Sequence, residues 1–196
     1  MVDERVSLPD TALGPPPESK KKQSSIRGAV EWVVILVGAL LVALLVKTFL
    51  LQAFYIPSAS MEPTLKIGDR VLVNKLSYDF HDVNRGDVVV FRSPPGEGNP
   101  DIKDLIKRVI ALPNETVEGH DGRVFINGDA LREPYLPEGM TTSAFPAQKI
   151  PPGHVWVMGD NRSNSKDSRV FGPINDDLVV GRAFIRVWPV TSIGLI

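Results

Sequence analysis

The sequence contains no cysteine, which excludes disulfide staples, thiolate zinc sites and a cysteine nucleophile. Histidine is scarce, and His81, His120 and His154 fall in a turn-like stretch, a Gly/Asp-rich loop and a strand start. None has an acidic or histidine partner at ligand spacing, so they read as surface or loop residues, not as a metal centre or a base. There is also no excess of one charge. The formal net charge is −1 with both signs interspersed, which argues against nucleic acid, a partner usually marked by a clustered basic face. The motifs GxSxG, HExxH, GxGxxG and a phosphate loop are all missing, and no metal or cofactor is expected.

What is present is first a long apolar run. Trp32 to Phe54 reads WVVILVGALLVALLVKTFLLQAF, with Lys47 as its one charge. At about 1.5 Å per residue such a run crosses a hydrocarbon layer of about 30 Å. A secretory leader has a shorter apolar region behind a short basic start, so the spacing predicts a retained transmembrane anchor over 29–54. Lys47 lies near the end of the run, where its stem can snorkel to the interface. Residues 1–28 carry Pro15, Pro16, Pro17 and the lysines from Lys20 to Lys22 with little apolar periodicity, and are expected to be a disordered polar tail. Lys20, Lys21, Lys22 and Arg27 flank the N-terminal side of the run, which by the positive-inside rule places the tail in the cytoplasm and residues 55–196 outside.

After the anchor the pattern changes to short alternating runs rich in β-branched residues. These are Arg70 to Leu76, Asp87 to Phe91, Thr116 to Asp129, His154 to Gly159 and Val179 to Trp188, and they predict strands. Asn127-Gly128 signals a hairpin, while Gly86, Pro94-Pro95, Pro113, Pro151-Pro152 and Pro189 punctuate the rest. Arg85-Gly86-Asp87 is read as the turn before a strand. No convincing helix follows the anchor. The fold class is mainly β, an antiparallel domain of about ordinary single-domain size behind one N-terminal transmembrane helix.

Directly after the greasy run comes IPSASMEPTL, Ile56 to Leu65. A serine needs a base to become a nucleophile, and no histidine is placed to serve. Lysine can serve if neutral, which at an ordinary pKa of about 10.4 is true of about one molecule in a thousand near pH 7.5. Burial in apolar surroundings can correct this. Within DLIKRVIALP, Lys107 stands among Leu105, Ile106, Val109, Ile110 and Leu112. On a strand it shares a face with Leu105 and Val109, with Arg108 pointing the other way. Such a cation either snorkels out as an edge-strand lysine or stays buried and neutral, the kind of perturbed group active sites use. The polar cluster from Met158 to Pro173, MGDNRSNSKDSRVFGP, makes a long turn with many side-chain-to-backbone hydrogen bonds. A hydroxyl from it could also orient the lysine, and composition does not choose between these readings.

Together these segments resemble bacterial type I signal peptidase, the membrane-bound serine protease family that removes signal peptides from exported preproteins. The resemblance rests on the anchor, IPSASMEPTL, RGDVVVF, IKRVIALP and GDNRSNSKDSR in that order. It implies an antiparallel β-sheet catalytic domain of the signal-peptidase and repressor-protease type, with Ser60 as nucleophile and Lys107 as general base. The backbone N–H of Ser60 and the hydroxyl of Ser58 would form the oxyanion hole, Ser165 would hydrogen-bond the lysine amine, and Asp167 and Arg169 would form a supporting ion pair. Pockets for the small residues at −1 and −3 (Ala-x-Ala) would be lined by Phe54, Ile56, Pro57, Val71, Val90 and Ile106. Met61 would lie in the cleft, and Asp104 and Leu105 along the edge that binds the peptide. Implied partners are preprotein signal peptides, the lipid bilayer and a nearby protein export channel, and the implied location is the bacterial cell membrane, single-pass. Segment 114–152, where large members carry a second β-domain, is a short β insert here. Two other readings stand beside this one. A self-cleaving repressor-type protease shares the chemistry but needs a DNA-binding domain, and a non-enzymatic membrane-tethered β-domain would leave Ser60 and Lys107 structural.

Overall fold

Two kinds of apolar sequence give two kinds of structure. The computed structural model describes residues 21–96 and 103–196. The first helix, α1, spans Lys21–Leu45, and its stretch Arg27–Leu45, 19 residues, is long and apolar enough to cross a membrane. Its large side chains, among them Trp32, Ile35, Leu36 and Leu40, are exposed, as an all-round apolar helix made for lipid requires. The tail expected over 1–28 lies outside the described residues as far as residue 20, and residues 21–28 are already helical.

The apolar run does not stay helical to Phe54. After α1 a π-helical turn covers Val46–Leu50, and Leu51–Tyr55 forms strand β1. β1 pairs antiparallel with β2 (Arg70–Asn74), from Leu51 opposite Asn74 to Tyr55 opposite Arg70. The anchor helix predicted over 29–54 is therefore too long at its C-terminal end. A short apolar segment reads alike as helix or strand, and here the ladder with β2 and the packing of Phe54 on the core decide.

The remaining strands are β3 (Val88–Arg92), β4 (Asp104–Ala111), β5 (Thr116–His120), β6 (Arg123–Ile126), β7 (Asp129–Ala130), β8 (Phe145–Lys149), β9 (His154–Met158), β10 (Ile174–Asn175), β11 (Val179–Trp188) and β12 (Gly194–Leu195). All pairings are antiparallel. One sheet has the order β1-β2-β11-β3-β4-β9-β10 with β12 also on β11, and a second has the order β7-β6-β5-β8. Asn127 and Gly128 join β6 to β7 as a two-residue turn with φ of 54° and 89°, the left-handed pair that suits the twist of a hairpin. Two single-turn helices, α2 (Ser77–Phe80) and α3 (Ser168–Phe171), interrupt the β pattern. The expectation of no helix after the anchor missed them, because one turn carries no periodicity.

Apolar side chains gather in three clusters. Ile56, Met61, Leu65, Val71, Val73, Val88, Val90 and Ala183 fill one side of the large sheet. Val89, Phe91, Val109, Val155, Val157 and Ile174 fill the other. The third, around Ile110, Val117, Val124, Ile150, Trp156 and Met158, joins the large sheet to the small one. Consecutive residues of β3, Val88 to Phe91, thus divide between two buried faces, which is why that strand reads as a continuous apolar run.

β11 passes close to β2 at Gly181, where an added Cβ would overlap the carbonyl of Asn74 and the backbone of Lys75. Gly181→Ala is therefore expected to cost about 1–3 kcal/mol, the range for overpacking, in chemical denaturation of the detergent-solubilised protein. Gly194→Ala, whose methyl meets nothing within 4 Å, should leave the midpoint unchanged.

Candidate active site

The segment after β1 is shaped by what it buries. The chain passes Ser58 in extended conformation and makes one 3-10 turn, Ala59–Met61. Glu62 N–H donates to the Ala59 carbonyl at 3.1 Å and Leu65 N–H to the Met61 carbonyl at 2.9 Å. Met61 and Leu65 are sunk in the core, so their burial fixes the turn and with it the hydroxyl of Ser60 between them and Ser58. Ser58 Oγ donates to Ser60 Oγ at 3.4 Å.

Lys107 arrives from β4. It stands opposite Val89 of β3, Leu105 and Val109 belong to the same apolar face, and the residue is 3 % exposed. Its Nζ donates to Ser60 Oγ at 2.7 Å. Burial drives the amine down from 10.5 to about 8, against the opposing pull of the Asp167 and Asp160 carboxylates. A cation in an apolar setting loses its hydration, so the neutral form is favoured.

The loop after β9 holds the turn that carries Ser60. Asn161 donates twice to the turn, from N–H to the Ser60 carbonyl and from Nδ2 to the Ala59 carbonyl, each at 3.1 Å. Asp167, fully buried, accepts from Gly159 N–H at 3.0 Å and from Nε and Nη2 of Arg169, both at 2.8 Å. Burial alone would raise the Asp167 carboxyl, but Arg169 and the Gly159 N–H outweigh it and hold the group below the usual carboxylate range. Ser168 Oγ accepts from Val157 N–H at 2.9 Å, tying the loop back to β9. Gly159 is required by space: an added Cβ would overlap Ser165 Oγ and the Ser60 carbonyl.

A second buried ion pair was not found by sequence reasoning. Arg108, adjacent to Lys107 on the opposite face of β4, meets both oxygens of Asp160, Nε at 2.9 Å and Nη2 at 2.7 Å. Its Nη1 donates to the Gly86 carbonyl at 2.8 Å, and its guanidinium lies 4.0 Å from the ring centre of Tyr135. Thr64 Oγ1 also donates to Asp160, at 2.6 Å. Arg162 pairs with Glu133 and donates to Thr142 Oγ1 at 2.8 Å. The available signal was two consecutive cations in an apolar strand, since alternation buries both and each then needs its own solution.

Phe54, Ile56, Met61, Val71, Val90 and Ile106 belong to one cluster, with Pro57 exposed between Ile56 and Ser58. Asp104 is exposed at the start of β4, and Leu105 packs in the cluster on the other face of the sheet. Ser165 Oγ is buried and close enough to weigh on the Asp167 carboxylate, yet has no partner at hydrogen-bond distance among the described residues. The lysine amine is engaged by Ser60.

A buried amine whose charged form is disfavoured, set on a buried serine hydroxyl, is an arrangement suited to nucleophilic attack, and residues 29–188 match the family described as signal peptidase, peptidase S26. The chain belongs to this family. Signal peptidase I of Leptolyngbya laminosa is 40% identical over 189 residues, 95% of this chain and 92% of that protein. The probable signal peptidase I-2 of Synechocystis is 40% identical over 180 residues, 91% and 82% of the two chains. Signal peptidase I of Mycobacterium tuberculosis is 37% identical over 89% of this chain and 76% of its own. A solved signal peptidase I from Enterococcus faecalis, 32% identical, covers 52% of this chain and 97% of its own at a TM-score of 0.44. As a peptidase of this family the chain is a hydrolase, and its apolar N-terminal helix fits membrane anchoring.

The lowered lysine has a thermodynamic consequence. Between pH 8 and 10.5 the unfolded chain holds the Lys107 proton and the folded chain has released it, so stability rises with pH across that window. Below it the full cost is present, about 3 kcal/mol at about 1.4 kcal/mol per tenfold change. Lys107→Met is therefore expected to stabilise the fold by up to about 3 kcal/mol at pH 6.5 and by little above pH 10.5, read by urea denaturation at both values. An equal gain at both would show that burial is not what lowers the amine.

Proposed function

We propose that this chain is a membrane-anchored serine endopeptidase that removes N-terminal signal peptides from exported preproteins. The observation that carries the reading is the 2.7 Å contact between Ser60 Oγ and the buried Lys107 amine. Neutral Lys107 takes the Ser60 proton as Oγ attacks the scissile carbonyl, and returns it to the leaving amine. Water then enters by the same route to release the acyl group. The Ser60 N–H and the Ser58 hydroxyl bind the oxyanion. The unpaired hydroxyl of Ser165 is the group that orients the amine once Ser60 is acylated, and the Asp167–Arg169 pair holds the loop that carries it.

Residues Asp104–Lys107 are paired with β3 on one edge and, among the described residues, have no ladder partner on the other. An extended substrate adds to that free edge, with Asp104 and Leu105 alongside it. Ile56, Val71, Val90 and Ile106 form the apolar floor under its −1 and −3 side chains, with Met61 packed beneath that floor and Phe54 and Pro57 at the rim. A floor this full admits a methyl group and excludes larger side chains, which suits cleavage after Ala-x-Ala. Four cations before the span set the N-terminus in the cytoplasm and the β domain outside, in the cell membrane and near the export channel. Ser60 follows the last residue of α1, Leu45, by fifteen positions, so the chain itself tethers the nucleophile to the membrane-crossing segment, and a signal peptide still in the bilayer is a substrate that such a tether suits.

Three expected outcomes test this. Ser60→Ala and Lys107→Met should each remain folded and abolish cleavage of a preprotein in detergent, and an active variant of either would sink the assignment. The rate of the wild type should rise with pH through about 8, because only the neutral amine is a base. About one molecule in ten is then competent at pH 7, against about one in three thousand at an ordinary lysine pKa, and a profile rising near pH 10 would contradict the reading. Ser58→Ala should lower kcat by about 10²- to 10³-fold, the effect of losing one oxyanion donor.

A further inference from the structure

Everything assigned so far lies on the acyl side of the scissile bond or at the bond itself. β9 takes over the free edge of β4 only from Arg108, which stands opposite Met158. A peptide laid along Asp104–Ile106 and running toward Lys107 reaches Ser60 and then meets the end of β9. It has to leave the sheet there, and the wall at that exit is the loop from Gly159 onward. Beyond the wall is an open recess of about 540 Å³, within the size range of ligand sites. One side is the loop, with Arg162, Ser163, Ser165 and Arg169, and the other is the segment of the insert that carries Thr141 and Ser143. Ser165 belongs to both places, since its hydroxyl lies against Gly159 near the Ser60 carbonyl and it also lines the recess.

We propose that this recess receives the first residues on the amine side of the scissile bond, held as an extended chain. The assignment rests on the peptidase reading above. Its chemistry follows from the walls. Arg162 is matched by Glu133 and Arg169 by Asp167, so the guanidiniums bring no net charge, and Thr141, Ser143 and Ser163 offer hydroxyls. The exposed side chain of Val170 also lines the recess, so it suits peptide amides and small side chains, polar or apolar, and disfavours charged ones. It also gives the insert a part in substrate binding, because half of the recess belongs to it.

The test uses the full-length protein in detergent and two peptides with the same acyl side. One ends in an amide after the first residue beyond the scissile bond, and the other continues through small polar residues to the fourth. The wild type should show kcat/KM about five- to tenfold higher for the longer peptide, the worth of about one or two net hydrogen bonds. Thr141→Trp, which fills the recess from the insert side, and Ser163→Trp, which fills it from the loop side, should each bring that ratio to about one. Equal rates for both peptides in the wild type, or a ratio kept by both variants, would overturn the proposal. Failure of the wild type to cut even the short peptide would overturn the peptidase reading beneath it, a separate result because that peptide does not enter the recess.

Discussion

A lysine amine pressed onto a serine hydroxyl inside an apolar sheet is the constraint around which this domain is organised. In the proposed mechanism the amine has to be neutral to act, and burial favours that form, but Asp167 and Asp160 oppose it. Both carboxylates are needed nearby because they hold the loop that carries the rest of the site. The conflict is eased by giving each its own guanidinium, Arg169 for Asp167 and Arg108 for Asp160. Each carboxylate is thereby largely neutralised before its field reaches the amine. Two buried ion pairs of this kind are poor contributors to stability in themselves. They are better understood as the means by which a rigid polar loop can lie beside an amine whose charged form burial disfavours.

The turn that carries Ser60 is consequently held from three directions. Met61 and Leu65 anchor it from beneath in the core. Asn161 grips its carbonyls. Thr64, just beyond it, is bound to the Arg108–Asp160 pair. The insert between β4 and β9 reaches the same network, through Glu133 on Arg162 and through Tyr135 beneath Arg108. The insert is short, but it is a structural neighbour of the catalytic loop and not a separate appendage.

Much of this could be read from the residues, and the unread part has a physical reason. Strands with strong alternation, such as β11, were legible over their full length, as was the Asn127-Gly128 turn. β1 was not, because Leu51 to Phe54 continue an apolar run and only the ladder with β2 makes them a strand. β8, β10 and β12 are short or lie on edges, and owe their form to partners distant in sequence. In the site, Lys107 stood out because a cation on the same strand face as Leu105 and Val109 is conspicuous. Arg108 did not, because its role depends on Asp160, fifty-two positions away, and pairing at that range leaves no local pattern. Ser60 was picked out by the resemblance and by the need for a base, not by periodicity.

The adjacency of Lys107 and Arg108 has a consequence for how much error β4 can tolerate. Because successive side chains of a strand face opposite sides, sliding β4 by one position against β3 can put Arg108 where Lys107 stands, opposite Val89, and Val109 where Arg108 stands, opposite Val88. A guanidinium, which cannot give up its proton in a protein, would then sit under Ser60. Most of the hydrophobic contacts could be rebuilt after such a slip, since valine, isoleucine and leucine occupy both faces, but the hydroxyl would have no base. Chemistry here is thus sensitive to an alignment error that packing alone would partly forgive, and the Arg108–Asp160 pair penalises that error by leaving Asp160 buried without its countercharge.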